Sequence, residues 1–305
     1  MERENTYNRR NTTVNGKICI EYIPQEDVRY PKRLRLLPGM PRGLYVCGRL
    51  PQDGCPSVAI VGARSASVYG SETARRFARK LAEAGVQIIS GMAWGIDGKV
   101  HEGALEAGGD TFGVLGCGVD ICYPAGHRRL YERLRTEGGL ISEQPPGMPP
   151  KPGHFPARNR IISGLADLVL VVEARERSGS LITADLALEQ GKDVFAVPGR
   201  IGDELSRGCL NLLKQGAGLA DCPETLLECL GIRLDSEGDG TDERKIVLAK
   251  DENIVYSLIR LQPAGLDDLV QNTGWPVQKV MTVLTGLQLK GCIREVRKNY
   301  YIRTD

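Results

Sequence analysis

Residues Ser57–Ser90 read SVAIVGARSASVYGSETARRFARKLAEAGVQIIS. A short apolar run stops at Gly62, a helical segment follows, and a second apolar run, Val86–Ser90, closes the unit. Ser71 is placed to cap the helix, Glu72 suits its first turn, and Gly85 suits the position just past its end. Ala74, Phe77, Ala78 and Leu81 fall at helical spacing and predict its apolar stripe. The alternation continues with a helix from about Asp97 to Ala107. Strand-like runs then follow at Thr111–Leu115, Gly139–Glu143, Asp167–Glu173 and Asp193–Pro198, with helices between them. Apolar strands alternating with helices predict an α/β fold: a parallel sheet covered on both faces. Ligands on such sheets bind at the carboxyl ends of the strands, near the point where the strand order reverses.

The flanks are different. Residues 1–55 carry Pro24, Pro31, Pro38, Pro41 and Pro51 and are predicted to form an irregular lead-in that packs on the core, with a disordered tip. The core domain is expected over 56–234. Asp235–Glu243, DSEGDGTDE, holds no apolar residue and reads as an acidic linker. Residues 244–305 read as helices around NIVYSLI, LDDLVQNTG and PVQKVMTVLTGLQLKG, then a hairpin in CIREVRKNYYIR. Three helices and a hairpin describe a small C-terminal winged-helix domain.

The 305 residues carry a formal net charge of +2, so affinity for nucleic acid has to come from local patches. Two Trp and four Phe argue against a large stacking platform, while a pocket built on one aromatic stays open. Nine cysteines, never spaced as CxxC, favour reduced thiols in a cytoplasmic protein. His101, His127 and His154 are far apart and no HExxH occurs, so neither a metal nor another cofactor is expected. The polar start has no signal-peptide core, and no run approaches the ~18 apolar residues of a membrane span.

The chemistry concentrates in Phe155–Ser180, FPARNRIISGLADLVLVVEARERSGS. Between Glu143 and Asp167 there is no acid, but Lys151, Arg158 and Arg160 supply three cations where a helix should begin. Helix N-termini attract anions, and arginine suits bidentate phosphate contacts. A second reading is a structural arginine pair bonded to sheet-edge carbonyls and carboxylates. Glycines recur after the strands, at Gly62, Gly91, Gly95, Gly116, Gly118, Gly179 and Gly199, where backbone amides can approach a phosphate-rich ligand. GxxxxGK[ST], GxGxxG after the first strand, and GxSxG do not occur. Asp97 is expected as a helix cap, His101 as a packing residue, and Cys117 as a small packing residue with no base beside it.

These motifs together resemble the DprA/Smf family of DNA-processing proteins. The matching stretches are VAIVGARSASVYG (58–70), SGMAWGID (90–97), GVLGCGVDICYP (113–124), FPARNRIISGLA (155–166), VVEARERSGSLITADLALEQGKDVFAVPG (171–199) and LNLLKQGA (210–217). The resemblance implies an extended Rossmann-like, doubly wound domain that binds and protects single-stranded DNA during natural transformation. It further implies help in loading the RecA recombinase, homodimerisation through that domain, and no catalysed reaction. Arg64 stands where the family places an arginine after its first strand to contact DNA, beside Gly62. Phe155, Arg158 and Arg160 stand in the family's FPxRNR segment. Asn159 and the turn Ser178, Gly179 and Ser180 match the pocket rim, and Lys151 is a further phosphate contact. Many family members begin with an extra helical domain, for which the residues ahead of the core are expected to leave no room, and this chain has GMAWGID where GLARGID is usual. There Met92 and Trp94 replace an aliphatic residue and an arginine. Two rival readings are a nucleotide-cleaving Rossmann-like enzyme, whose PGGxGTxxE loop is not found, and a transcription regulator working through the winged helix. For the winged helix itself, duplex recognition and protein contact both stay open.

Overall fold

The computed structural model describes residues 13–14, 17–232, 248–259 and 263–303. The expected disordered tip and the Asp235–Glu243 linker lie outside the described residues. The chain divides into two compact units, one of residues 1–66 and 73–233 and one of residues 67–72 and 234–305.

The first unit is built on one nine-stranded sheet. Its strands are β1 (Ile20–Pro24), β2 (Gly43–Gly48), β3 (Ser57–Val61), β4 (Gln87–Ser90), β5 (Thr111–Leu115), β6 (Gly139–Ser142), β7 (Leu168–Val171), β8 (Asp193–Ala196) and β9 (Gly218–Leu219). They lie in the order β9-β8-β7-β3-β4-β5-β6-β2-β1. From β9 to β6 every neighbour is parallel. The chain runs outward from β3 to β6, returns to place β7 on the other side of β3, and then runs outward again. That reversal between β3 and β7 is the switch point at which such sheets bind ligands. Every residue of β3 to β7 is buried, as continuous apolar runs covered on both faces require.

The lead-in is not irregular as the sequence suggested. It adds β1 and β2 to the sheet, β2 antiparallel to β6 and β1 antiparallel to β2. The short helix α1 (Lys32–Arg35) lies between them. The prolines that suggested loop stand at the ends of these elements: Pro24 closes β1 and Pro31 precedes α1. Tyr30 and Leu34 are fully buried, and the Tyr30 hydroxyl donates to the Pro41 carbonyl at 2.7 Å. Arg33 ties this segment to the core through Ser57 Oγ (2.7 Å), Cys55 O (2.7 Å) and the Asp167 carboxylate (3.0 Å).

Helix α2 (Val68–Glu83) carries Ala74, Phe77, Ala78 and Leu81 into the core and ends before Gly85, which has φ +80°. It starts one turn earlier than Ser71, because Ser67 supplies the cap: its Oγ accepts the Gly70 N–H at 2.9 Å. Helices α3 (Ile96–Glu106), α4 (Arg128–Glu137), α5 (His154–Leu165), α6 (Gly179–Glu189), α7 (Arg207–Lys214) and α8 (Pro223–Cys229) complete the unit. Ile161, Ile162 and Leu165 of α5 pack in one core cluster with Ala59, Val61, Val114, Val169 and Val171 of the sheet.

The second unit has α9 (Lys250–Leu258), α10 (Leu266–Thr273) and α11 (Val277–Leu289) on a three-stranded sheet. The hairpin β11 (Ile293–Arg297) and β12 (Tyr300–Arg303) is joined by a strand too short to read from the sequence, β10 (Ala264–Gly265), which pairs with β12. Val255, Leu269, Val280, Leu284, Leu287, Ile293 and Tyr301 make its core. This is a winged helix. Its candidate recognition helix α11 has one cation, Lys279, which lies 3.8 Å from the centroid of the Trp275 ring and pairs with Asp251 at 2.8 Å.

Candidate functional site

An open cavity of about 640 Å³ lies at the switch point. Its walls are the Gly62–Ser65 turn after β3, Ala93 and Asp97 at the start of α3, the first turns of α5 and α6, and the loop after β7. The N-termini of α5 and α6, whose first amides lack intrahelical partners, therefore border the same space. Four arginines line it, Arg64, Arg158, Arg175 and Arg177, against a single carboxylate, Asp97. That balance gives the cavity an excess of positive charge.

Arg64 is exposed, and its guanidinium lies over the Phe155 ring, 5.4 Å from the centroid. The ring is thus held in the cavity wall. Tyr123 stands beside it, with centroids 5.6 Å apart and planes tilted by 34°. Sequence reasoning allowed one aromatic here; the structure places two. Asn159 spans to α6, its Nδ2 donating to the Gly179 carbonyl at 3.2 Å. Ser178 caps α6, its Oγ accepting the Ser180 N–H at 3.4 Å and meeting Ser180 Oγ at 2.8 Å.

Arg158 is a different kind of residue. Only 7% of its surface is exposed, and its Nη1 donates to the Val114 carbonyl at the end of β5. Burial lowers its affinity for the proton, while the nearby Asp97 raises it. Asp97 is itself buried, which pushes its carboxyl above the usual range against the pull of Arg158. Its Oδ2 accepts the Ala93 N–H at 3.2 Å, so it fixes the loop ahead of α3; the helix cap expected of it is Gly95. Both side chains converge on Gly91. A Cβ at that position would collide with the Asp97 carboxylate and stand 2.7 Å from Arg158 Nη1, so any larger residue would displace those two side chains.

The expectation that Arg160 shares the pocket is corrected. Two residues along a helix turn the side chain by ~200°, which sends Arg160 away from Arg158. Its Nη2 donates to both Glu143 oxygens (2.7 and 2.9 Å), its Nε to Gly39 O (2.9 Å) and its Nη1 to Ala157 O (2.9 Å). It joins the lead-in to the core. Arg160→Ala is therefore expected to cost about 1–3 kcal/mol of stability and to leave ligand affinity unchanged within about twofold. Thermal melts beside a binding titration check this. Lys151 is exposed and also stands outside the cavity wall. Arg160 thus fits the structural reading, and Arg158, which lines the cavity, is also bonded to a sheet carbonyl.

Arg175, Arg177 and Tyr123 were missed. The two arginines stand in the quoted EARERSGS segment immediately before the Ser178 cap, and a cation count extended past Asp167 finds them. The Arg175–Glu204 contact is loose and exposed, at 3.7 Å, so it does little to occupy that guanidinium. Cys117 is buried, which pushes its thiol up to about 11. His101 is fully buried, with Nε2 donating to the Gly91 carbonyl and Nδ1 meeting Thr111 Oγ1, both at 2.7 Å. Among the described residues no group of three His, Cys, Asp or Glu could hold a metal, and no helix is long and apolar enough to cross a membrane.

Comparison with known proteins agrees with this architecture. A family model described as DNA recombination-mediator protein A matches residues 21–231, and one described as the DprA winged helix domain matches 241–297. Protein Smf of Escherichia coli is 42% identical over 286 residues, 91% of this chain and 76% of that protein. DNA processing protein DprA of Streptococcus pneumoniae is 43% identical over 198 residues, 65% of this chain and 70% of that protein. The X-ray structure of the pneumococcal protein superposes with a TM-score of 0.66 at 41% identity, over 68% of this chain and 74% of its own. DNA processing protein A of Helicobacter pylori, solved to describe its single-stranded DNA binding mode, gives 0.63 at 29% identity, over 70% and 96%.

Proposed function

The chain belongs to the DNA recombination-mediator protein A family, DprA/Smf, and from that premise we propose that its switch-point cavity binds and shields single-stranded DNA. The observation that carries the proposal is the four-arginine cavity, bordered by two helix N-termini and an aromatic pair, and holding one buried acid. Arginines and amides grip successive phosphates, and Phe155 with Tyr123 offers rings to unstacked bases. A duplex keeps its bases stacked inward and cannot use those rings. None of these groups reads a base edge, so binding is sequence-tolerant. The bound strand is then passed to the RecA recombinase, a role in keeping with the family's description as a recombination mediator. On this reading the protein acts in the cytoplasm as a homodimer, in natural transformation and recombination, and without catalysing a reaction. Contact with protein is the better-supported role for α11, since its one cation is already engaged.

The test is fluorescence anisotropy with labelled oligo-dT and a matched duplex. The single strand is expected to bind more tightly, and its affinity to fall steeply between ~50 and ~200 mM salt. Arg64→Ala is expected to weaken binding at least about tenfold, the worth of a charge-assisted contact, while the exposed site leaves the melting temperature nearly unchanged. Equal affinity for both DNAs, or indifference to salt, would end this reading.

A further inference from the structure

Beside the arginine cavity, and sharing Arg64, Ala93, Tyr123, Phe155 and Arg158 with it, lies a second, smaller cleft. Trp94 lines it and does not line the larger cavity. An exposed tryptophan is an expensive surface residue, and this one leaves 51% of its area open to solvent. It is nevertheless held in place. The His127 ring meets it edge-on with centroids 4.4 Å apart, and Gly126 lies so close that any Cβ there would strike the indole. His127 is fixed in turn, its Nδ1–H donating to the Met92 carbonyl at 3.2 Å. The indole is thus anchored along one side and open along the other. Tyr123, 44% exposed and beside Phe155, lines both clefts.

We propose that Trp94 is a second stacking position, so that a single strand leaving the arginine cavity continues across Tyr123 and lays a further base on the indole. The inference rests on the single-strand reading of the cavity and extends its footprint. Every nucleobase has a π-face, so this contact adds affinity without adding sequence preference. It also adds affinity without releasing counterions, so the salt slope is set by the arginines while the length of strand needed for full affinity is set by Trp94.

The chain has two tryptophans, so Trp275→Phe leaves Trp94 as its sole indole reporter. In that background oligo-dT of increasing length is titrated while both anisotropy and tryptophan emission are followed. Emission is expected to quench once the strand is long enough to pass the cavity, and to stay constant with shorter strands that bind in the cavity alone. Trp94→Ala is expected to lose about tenfold in affinity for the long strand only, to keep the wild-type salt slope, and to be rescued in part by Trp94→Phe. Unchanged affinity of Trp94→Ala for both lengths, with no quenching in the reporter protein, would overturn the stacking position while leaving the cavity intact. An equal loss at both lengths would overturn it too, since the indole would then be shaping the cavity. Failure of the wild type to bind oligo-dT at any length would remove both proposals together.

Discussion

Arg158→Ala is expected to lower the melting temperature by about 10 °C in addition to weakening DNA binding. The guanidinium is buried, feels the charge of the nearby Asp97, and donates to the Val114 carbonyl at the end of β5. Removing it takes a cation from beside the buried Asp97 and a donor from the Val114 carbonyl, at a cost of ~3–5 kcal/mol, and each kcal/mol is worth ~2–4 °C in a protein of this size. Arg64 makes the useful contrast, since it is exposed and its loss should spare the melt. A double variant, Asp97→Asn with Arg158→Ala, removes both charges and should recover part of the lost stability. Wild-type melting by Arg158→Ala would show that the buried pair contributes nothing. Binding lost by this variant alone is thus no test of phosphate contact, because the cavity wall goes with it.

The second large effect is on acid stability. Burial holds the His101 imidazole down to about 4, against the bond to the Gly91 carbonyl, which favours the proton. In the unfolded chain the ring takes its proton near 6.5. Between those two values the unfolded state binds the proton and the folded state does not, so stability falls as the pH falls through this window. The full difference is about 3 kcal/mol, with little of it felt at pH 7 and most of it by pH ~4.5. Urea titrations at the two pH values measure it. His101→Gln keeps an amide donor for Gly91 and does not titrate, so its acid loss should be smaller by about 2 kcal/mol. Equal acid losses in the two proteins would assign the effect to carboxylates elsewhere.

The parallel sheet was legible because its strands are buried on both faces and so read as unbroken apolar runs. Thr111–Leu115 and Ser57–Val61 fall where the sequence put them. The start of α2 was hidden by Tyr69 and Gly70, poor helix formers that follow the true cap, Ser67. β1 and β2 were hidden by their prolines, which bound these strands and do not interrupt them. At the site, the residue types were readable and their directions were not. Arg158 and Arg160 are neighbours in the text, yet the phase of α5, set by its start at His154, sends one to the cavity and the other to Glu143. Trp94 looked like the loss of a cation, and only its packing against His127 and Gly126 gives it a use.

The two ends of the large sheet bear on how copies of this chain can meet. At one side β1 carries Glu21, ion-paired with Arg29, and stops at Pro24, which has no N–H to offer an incoming strand. At the other side β9 is two residues long. Charge, proline and brevity are the features by which proteins discourage edge-to-edge growth. A nine-stranded sheet blunted in this way resists templating further strands from neighbouring copies. Any contact between copies is then left to helical and loop surfaces.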